Sequence, residues 1–408
     1  LRILLIKPTA RLRSVLGLQA FQRMEPLELG YLAAAACREH DSRILDLRLA
    51  VWPEFPLRDS MRRFRPDLVG ITGYSHEVSS VKRIARRVRR SLPGTTIVVG
   101  GHHATVAPRD YRIETIDAAV HGEGCVPFAQ IVRALADGRG LDGIPQVMLP
   151  DRTWRDDEER LWPRLPDPSM LPLPRRDLWD TRRYRSVWAG EKLARWHPLF
   201  PRVSMVRTSW GCRMKCSFCI VPHLCGGIHR TRPVQSVVDE ITSLDVDHVY
   251  FCDDENFIDE PFAWALAEAL EARGVKKRYF TWTSATTVNR SPELLRRWRE
   301  IGLDAAFLGF EFPSDAELKR AAKVGTVAAN ERALDRLRSM DVAVAFMVQP
   351  EYGRSSLRDC ATTSTACRRF NAASPSACPP QAHPTINKPC SRGSGSRIRM
   401  ISTTACTL

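Results

Sequence analysis

The sequence predicts an α/β chain of two units in series: a parallel sheet with helices on both faces, then a partial (β/α) barrel. Three observations predict it. Short apolar runs alternate with amphipathic stretches from residue 1 to about 150, and again from about 201 to 353. A Pro-, Arg-, Asp- and Trp-rich stretch, 151–200, separates the two runs. The 408 residues are 44% apolar and 26% charged, the balance of a folded globular chain and not of a disordered one.

In the first unit, strands are expected at Arg2–Lys7 (RILLIK), Arg43–Leu47, Asp67–Thr72, Thr96–Val99 and Ala118–His121. Helices are expected at the Ala-rich Leu27–Glu39, the basic Val78–Leu92, which Pro93-Gly94 ends, and Val126–Ala136. Strands separated by helices give a parallel, Rossmann-like sheet covered on both faces. No GxGxxG follows the first strand, which disfavours an ordinary dinucleotide site. The connector carries Pro163, Pro166, Pro168, Pro172 and Pro174, and its Trp and Leu content reads as chain wrapped over other structure.

In the second unit, strands are expected at Val203–Thr208, His248–Cys252, Tyr279–Ser284, Ala305–Phe312 and Val342–Val348. Helices fall at Pro233–Leu244, Pro261–Arg273, Pro292–Ile301 and within Ala328–Met340. Five β/α units fit an open barrel and leave no room for eight. After Gly353 the pattern stops. Residues 354–408 are rich in Ser, Thr, Ala, Pro, Arg and Cys, with one aromatic, Phe370. They read as a basic low-complexity tail, disordered or produced by a shifted reading frame, the second being favoured because the change is abrupt within a β/α unit.

The net charge is +15, but the last 55 residues hold eight Arg or Lys against Asp359 alone. About half of the excess is therefore in the tail, which weakens the case for a nucleic-acid partner. No apolar run reaches the roughly 18 residues of a membrane span, and the start does not read as a secretory signal, so a cytoplasmic location is expected, with peripheral membrane contact open.

The strongest chemical signal is Cys212-Arg-Met-Lys-Cys216-Ser-Phe-Cys219, directly after the first barrel strand. Three thiolates at CxxxCxxC spacing on one short loop can hold three irons of a cubane cluster and leave the fourth iron open. The competing assignment is a zinc site completed by His223 or Cys225.

This loop, with Phe218 before its last Cys, resembles that of the radical S-adenosylmethionine (SAM) superfamily. The resemblance implies that Cys212, Cys216 and Cys219 bind a 4Fe–4S cluster whose open iron chelates SAM, giving a 5′-deoxyadenosyl radical on reduction. Phe218, and Asp253, Asp254 and Glu255 of the FCDDENF stretch, with Glu311 of Gly309-Phe-Glu311, become candidate SAM-binding residues. Arg230 and Arg232 are either structural, the favoured reading, or partners of the SAM carboxylate. The leading sheet unit, with EPLELGYLA from Glu25, GGHHAT from Gly100 and HGEG from His121, resembles the cobalamin-binding class of that superfamily, most of all hopanoid C-3 methylases and related methyltransferases. It implies cobalamin contacts from Thr72, Gly100, Gly101, His102, Gly122, Glu123 and Gly124. No DxHxxG is present to supply a His to cobalt, and His102 and His103 are expected to be packed or solvated loop residues. The activity implied is methylation of an unactivated carbon of a lipid or secondary metabolite, with a flavodoxin or ferredoxin as reductant. The alternatives are a cyclase or oxidase of the same class, or an inactive truncated fragment.

Overall fold

The computed structural model describes residues 1–9, 23–36, 39–150, 167–188 and 200–348. Among these, the first unit is a six-stranded sheet in the order β2-β1-β3-β4-β5-β6. Its strands are β1 (Arg2–Lys7), β2 (Asp41–Asp46), β3 (Leu68–Thr72), β4 (Thr96–Gly100), β5 (Ala118–Val120) and β6 (Val147–Met148). The first five are parallel, and β6 adds antiparallel to β5. β1 and β3 are central, which is why RILLIK and LVGIT are apolar along almost their whole length. The edge strand β2 alternates instead, as a half-exposed strand should. Helices α1 (Leu27–Ala35) and α5 (Cys125–Ala136) cover one face; α2 (Glu54–Phe64), α3 (Val78–Ser91) and the short α4 (His102–Val106) lie on the other. The sequence pattern did not isolate α2, because Pro56 and its five charged residues dilute the apolar period to Leu57, Met61 and Phe64. Helix α1 ends at Ala35, short of the expected Glu39.

The second unit is an open five-stranded parallel sheet, β13-β12-β11-β10-β7. Its strands are β7 (Val203–Val206), β10 (His248–Phe251), β11 (Arg278–Thr283), β12 (Leu303–Glu311) and β13 (Ala343–Val348). Between β7 and β10, β8 (Ser209–Trp210) and β9 (Arg230–Thr231) form a small antiparallel hairpin around α6 (Val221–Cys225). Helices α7 (Val234–Ser243), α8 (Glu260–Ala272), α10 (Pro292–Glu300) and α12 (Val327–Ser339) pack on the outside of the sheet around Trp298, which is 1% exposed. Two further short helices, α9 (Ala285–Arg290) and α11 (Asp315–Arg320), were not anticipated. The concave side holds Val203, Tyr250, Phe280 and Phe307, and it is plugged by Met24 and by Trp188 of the connector, whose indole N–H donates to Asp304 at 2.5 Å. The tail after Gly353 and the prolines at 163 and 166 lie outside the described residues.

The described part of the connector, residues 167–188, sews the two units together. Arg185 bridges Arg23 on one side and Arg202 on the other. Deeper in, Glu25 is fully buried and accepts from Arg176 at 2.6 Å, Trp179 at 3.2 Å, the Ser204 hydroxyl at 3.2 Å and the Met205 amide at 2.9 Å. Arg176 also pairs with Glu240 of α7 at 2.6 Å, and Glu240 pairs with buried Arg232, which donates to the hydroxyl of Tyr31 in α1. Burial alone would lower the Arg176 pKa; the charges of Glu25 and Glu240 more than offset this and raise it. Every charge in the chain of contacts has a partner of opposite sign, the condition for a buried ionic network to be tolerated. Glu25→Ala leaves Arg176 half-paired and three donors unmatched. It is expected to cost about 3–5 kcal/mol and to split a single denaturant transition into two, measured by equilibrium unfolding followed by circular dichroism and Trp fluorescence.

Candidate active site

The loop of three cysteines grows out of the carboxyl end of β7. Gly211 turns the chain at φ 85°, and a Cβ there would lie 1.9 Å from the Ile228 carbonyl oxygen, so only glycine lets the β8–β9 hairpin close. Cys212, Cys216 and Cys219 follow on successive turns. The Cys219 amide donates to the Cys216 carbonyl at 3.1 Å, and the Met214 amide points at Cys212 Sγ at 3.4 Å. The Ser217 amide donates to the Ala321 carbonyl at 2.9 Å, which ties the loop to the end of α11. Phe218 packs edge-on against Phe312, with Leu318 and Ala321 beside it. Its ring therefore helps to anchor the loop.

Burial pushes the Cys212 thiol up to about 11 and the Cys219 thiol up to about 12, and raises Cys216 as well. The negative charges of neighbouring cysteines and of Asp254 add to the first two, while Lys323 and a backbone N–H pull Cys216 down in part. Three such thiols are held as thiolates by a cationic centre. A zinc ion would need its donors about 2.3 Å from one point. Among the described residues no three His, Cys, Asp or Glu side chains are grouped that way. A cubane makes a different demand, one iron per thiolate. Cys225 is buried behind Gly211, and the His223 side chain lies outside what is described.

The neighbouring strand ends sort the acidic candidates. Asp253 accepts from the Thr208 amide and hydroxyl, Ser209 Oγ and Asn256 Nδ2, so all its acceptor positions face protein. It clamps β7 to β10. Asp254 braces the cysteine loop, accepting from the Gly211 amide at 2.8 Å with Arg207 at 3.5 Å. Glu255 Oε1 accepts from Thr283 and the Ser284 amide, but its Oε2 is buried without a partner among the described residues. Burial raises the Glu255 pKa, and its charge is felt at Cys212. Glu311 sits at φ 67°, a conformation costly for a residue with a Cβ, beside a register break in β12, with Lys323 at 3.8 Å. Both influence Cys216. Arg232 is enclosed in the Glu240 network and is structural, as expected.

The carboxyl edge of the first sheet faces this loop. Thr72 ends β3, Gly100 ends β4, and Gly122 to Gly124 follow β5. Gly101 has φ 89°, and a Cβ there would lie 2.5 Å from Thr72 Oγ1, so the backbone forms a close-walled turn. Thr105 Oγ1 joins the β4 and β5 turns, donating to Gly101 and accepting from the Gly122 amide. His103 has both ring nitrogens engaged, by Ser75 at 3.0 Å and Asp110 at 2.9 Å. His102 lies 5.6 Å from Tyr74; burial lowers its pKa, and Asp254 across the gap raises it in part. Glu123 is engaged by the Trp210 indole at 3.2 Å and the Gly124 amide at 3.0 Å, so it joins the two edges.

A B12 binding domain matches residues 13–132, and the radical SAM superfamily matches residues 206–357. The chain thus carries a B12-binding domain followed by a radical SAM domain. It is 26% identical over 343 residues to hopanoid C-3 methylase of Methylococcus capsulatus, covering 82% of this chain and 63% of the methylase. It is 28% identical over 296 residues to anaerobic magnesium-protoporphyrin IX monomethyl ester cyclase of Cereibacter sphaeroides, covering 70% of this chain and 46% of the cyclase. The chain thus spans less than two thirds of the length of either. In fold it is similar to the radical SAM methyltransferase TsrM of Kitasatospora setae, solved with cobalamin and a [4Fe-4S] cluster bound. The TM-score is 0.67 at 19% identity, over 90% of this chain and 73% of TsrM.

The cofactors of these domains are a cobalamin, SAM and a [4Fe–4S] cluster. The residues of this chain fit them: three thiols on one loop, Cys216 buried and Cys212 and Cys219 half-buried, an unpartnered carboxylate oxygen beside Cys212, and a close-walled glycine turn opposite. Three residues of the site were not singled out beforehand. Arg207 lies 4.8 Å over the Trp210 ring, and His229 is buried with neither ring nitrogen partnered among the described residues. Only the position of Trp210, two before Cys212, could have pointed to it.

Cys212→Ala, Cys216→Ala and Cys219→Ala are each expected to lose most of the iron and sulfide taken up on anaerobic reconstitution, while Cys225→Ala keeps it; chemical iron and sulfide analysis decides. Because burial raises the thiol pKa values, binding must release protons, so iron uptake at limiting iron should rise with pH across the neutral range. Titration at three pH values tests the sign.

Proposed function

We propose that this protein is a cobalamin-dependent radical SAM methyltransferase that acts on an unactivated carbon of an apolar small molecule, with a hopanoid-like lipid as the first substrate to test. The observation that carries the proposal is the joining of the two sheet edges, where Glu123 of the first accepts from Trp210 of the cysteine loop in the second. Two cofactors that must act on one substrate need sites that open onto one space, at a fixed separation. When bound, the cluster and SAM supply a carbon-centred radical, and the cobalamin carries a methyl group.

The chain's own residues do the rest. Cys212, Cys216 and Cys219 hold the cluster. Glu255 Oε2 is the acceptor for the ammonium group of SAM, at a depth where a charge-assisted hydrogen bond is strong. Glu311, kept in its strained conformation, and Lys323 border the loop on the β12 side. Thr72, Gly100, Gly101, His102, Gly122 and Gly124 form the wall on the cobalamin side. The reductant is a small electron carrier such as a flavodoxin or ferredoxin. The cyclase relatives favour a second assignment, radical chemistry without methyl transfer.

Incubating reconstituted protein with cobalamin, SAM carrying a deuterated methyl group, a chemical reductant and a pentacyclic hopanoid separates the two. A product heavier by one labelled methyl supports methylation. Formation of 5′-deoxyadenosine with an unchanged carbon count in the product overturns it in favour of the cyclase type. Glu255→Gln is expected to weaken SAM binding about tenfold, measured by equilibrium dialysis, while iron content is retained.

A further inference from the structure

Positive charge is unevenly placed on the first unit. Helices α2 and α3 lie on one face of its sheet and bury Leu57, Met61, Phe64, Val81, Ile84 and Val88 against it. Together the two helices hold nine Lys or Arg and two acids, Glu54 and Asp59. They thus carry +7 of the chain's +15, and the 55-residue tail carries another +7, so the rest of the molecule is close to neutral. Arg89 turns inward onto Asp117 at 2.6 Å. Arg83, Arg86, Arg87 and Arg90 are exposed at i, i+3, i+4 and i+7, one continuous stripe down the outside of α3. Arg58 and Arg62 are exposed on α2, in register with Phe55.

The stripe on α2 ends in an apolar tip. Val51 is 86% exposed, Trp52 65% and Phe55 59%, and the Arg58 guanidinium lies 5.3 Å from the Phe55 ring centre. These residues follow the carboxyl end of β2, so they stand at the same edge of the sheet as the candidate active site. Three adjacent large apolar side chains in water, beside rows of arginine, are a combination that a bilayer surface satisfies in both parts. Nucleic acid would meet the arginines but offers no apolar layer for Val51.

We propose that this face docks on an anionic lipid bilayer, with Val51, Trp52 and Phe55 entering the headgroup layer and the exposed arginines of α2 and α3 meeting lipid phosphates. Docking there brings the edge of the sheet that carries the candidate site toward the membrane, where an apolar substrate is concentrated. The surface argument does not use the reaction. Vesicle binding needs no turnover, so its failure would leave the methylation proposal standing.

The test is co-sedimentation of the full chain with vesicles of phosphatidylcholine alone and of phosphatidylcholine mixed with phosphatidylglycerol. Binding is expected to be at least about tenfold tighter to the anionic vesicles and to weaken with salt. The double variant Trp52→Ser, Phe55→Ser and the double variant Arg86→Glu, Arg87→Glu should each weaken it by at least about tenfold. All four positions are exposed, and unchanged circular dichroism and melting would show that the fold is kept. Vesicle binding that survives both double variants would assign the interaction to the basic tail and overturn the proposal. Absence of vesicle binding, or retention on transfer RNA that the arginine variant abolishes while vesicles are ignored, would overturn it as well.

Discussion

The buried contact of Glu25 with Arg176, continued through Glu240 to Arg232 and Tyr31, is the constraint on which the arrangement of the two units depends. It draws one member from the entry to α1, one from the connector, two from the second unit and one from α1 itself. Isolated charges at that depth would be prohibitively costly, so none of them can be left unpartnered without several kcal/mol of penalty. The network is therefore satisfied in one relative placement of the sheets and opposes others. Hydrophobic contact alone, as between Leu27, Tyr31, Cys125 and Met205, would be far less selective of angle.

That placement turns two carboxyl edges toward each other. Parallel sheets concentrate loops at the carboxyl ends of their strands, and ligands bind there. Here one edge contributes glycine turns held by Thr105, and the other contributes the cysteine loop held by Asp254, Ser217 and Phe218. Glu123 and Trp210 close the distance between them, and Asp254 is sensed by His102 on the far side. The same low-dielectric surroundings that raise the thiol and Glu255 pKa values strengthen any charge that binds among them. The edge also runs out to the exposed Val51–Phe55 segment, so substrate delivery and chemistry would share one side of the molecule.

Much of the fold was legible because its strands are buried on both faces. RILLIK, DLVGIT and TIVV are uninterrupted apolar runs, and such runs announce a central parallel strand without any alignment. Helix α3 was legible for the opposite reason, since its arginines and its valines fall on separate faces. Elements with few residues were missed. The β8–β9 hairpin and helices α4, α6, α9 and α11 span two to six residues each, too few for a period to show. The boundary of β7 was overrun because Thr208 continues the apolar-polar pattern of a strand while both its amide and its hydroxyl are turned onto Asp253.

The spacing of Cys212, Cys216 and Cys219 and the order of the two units, read by resemblance, were enough to indicate the two domains and their cofactors, because such motifs depend on residue type and chain separation. What the sequence could not assign was which acid serves which end. Asp253, Asp254 and Glu255 are adjacent and chemically alike, yet one is a structural clamp, one a brace for the loop and one retains a buried free oxygen. Successive side chains leaving a strand end diverge in direction, and only the packed tertiary structure decides which meets a protein donor and which is left for a ligand.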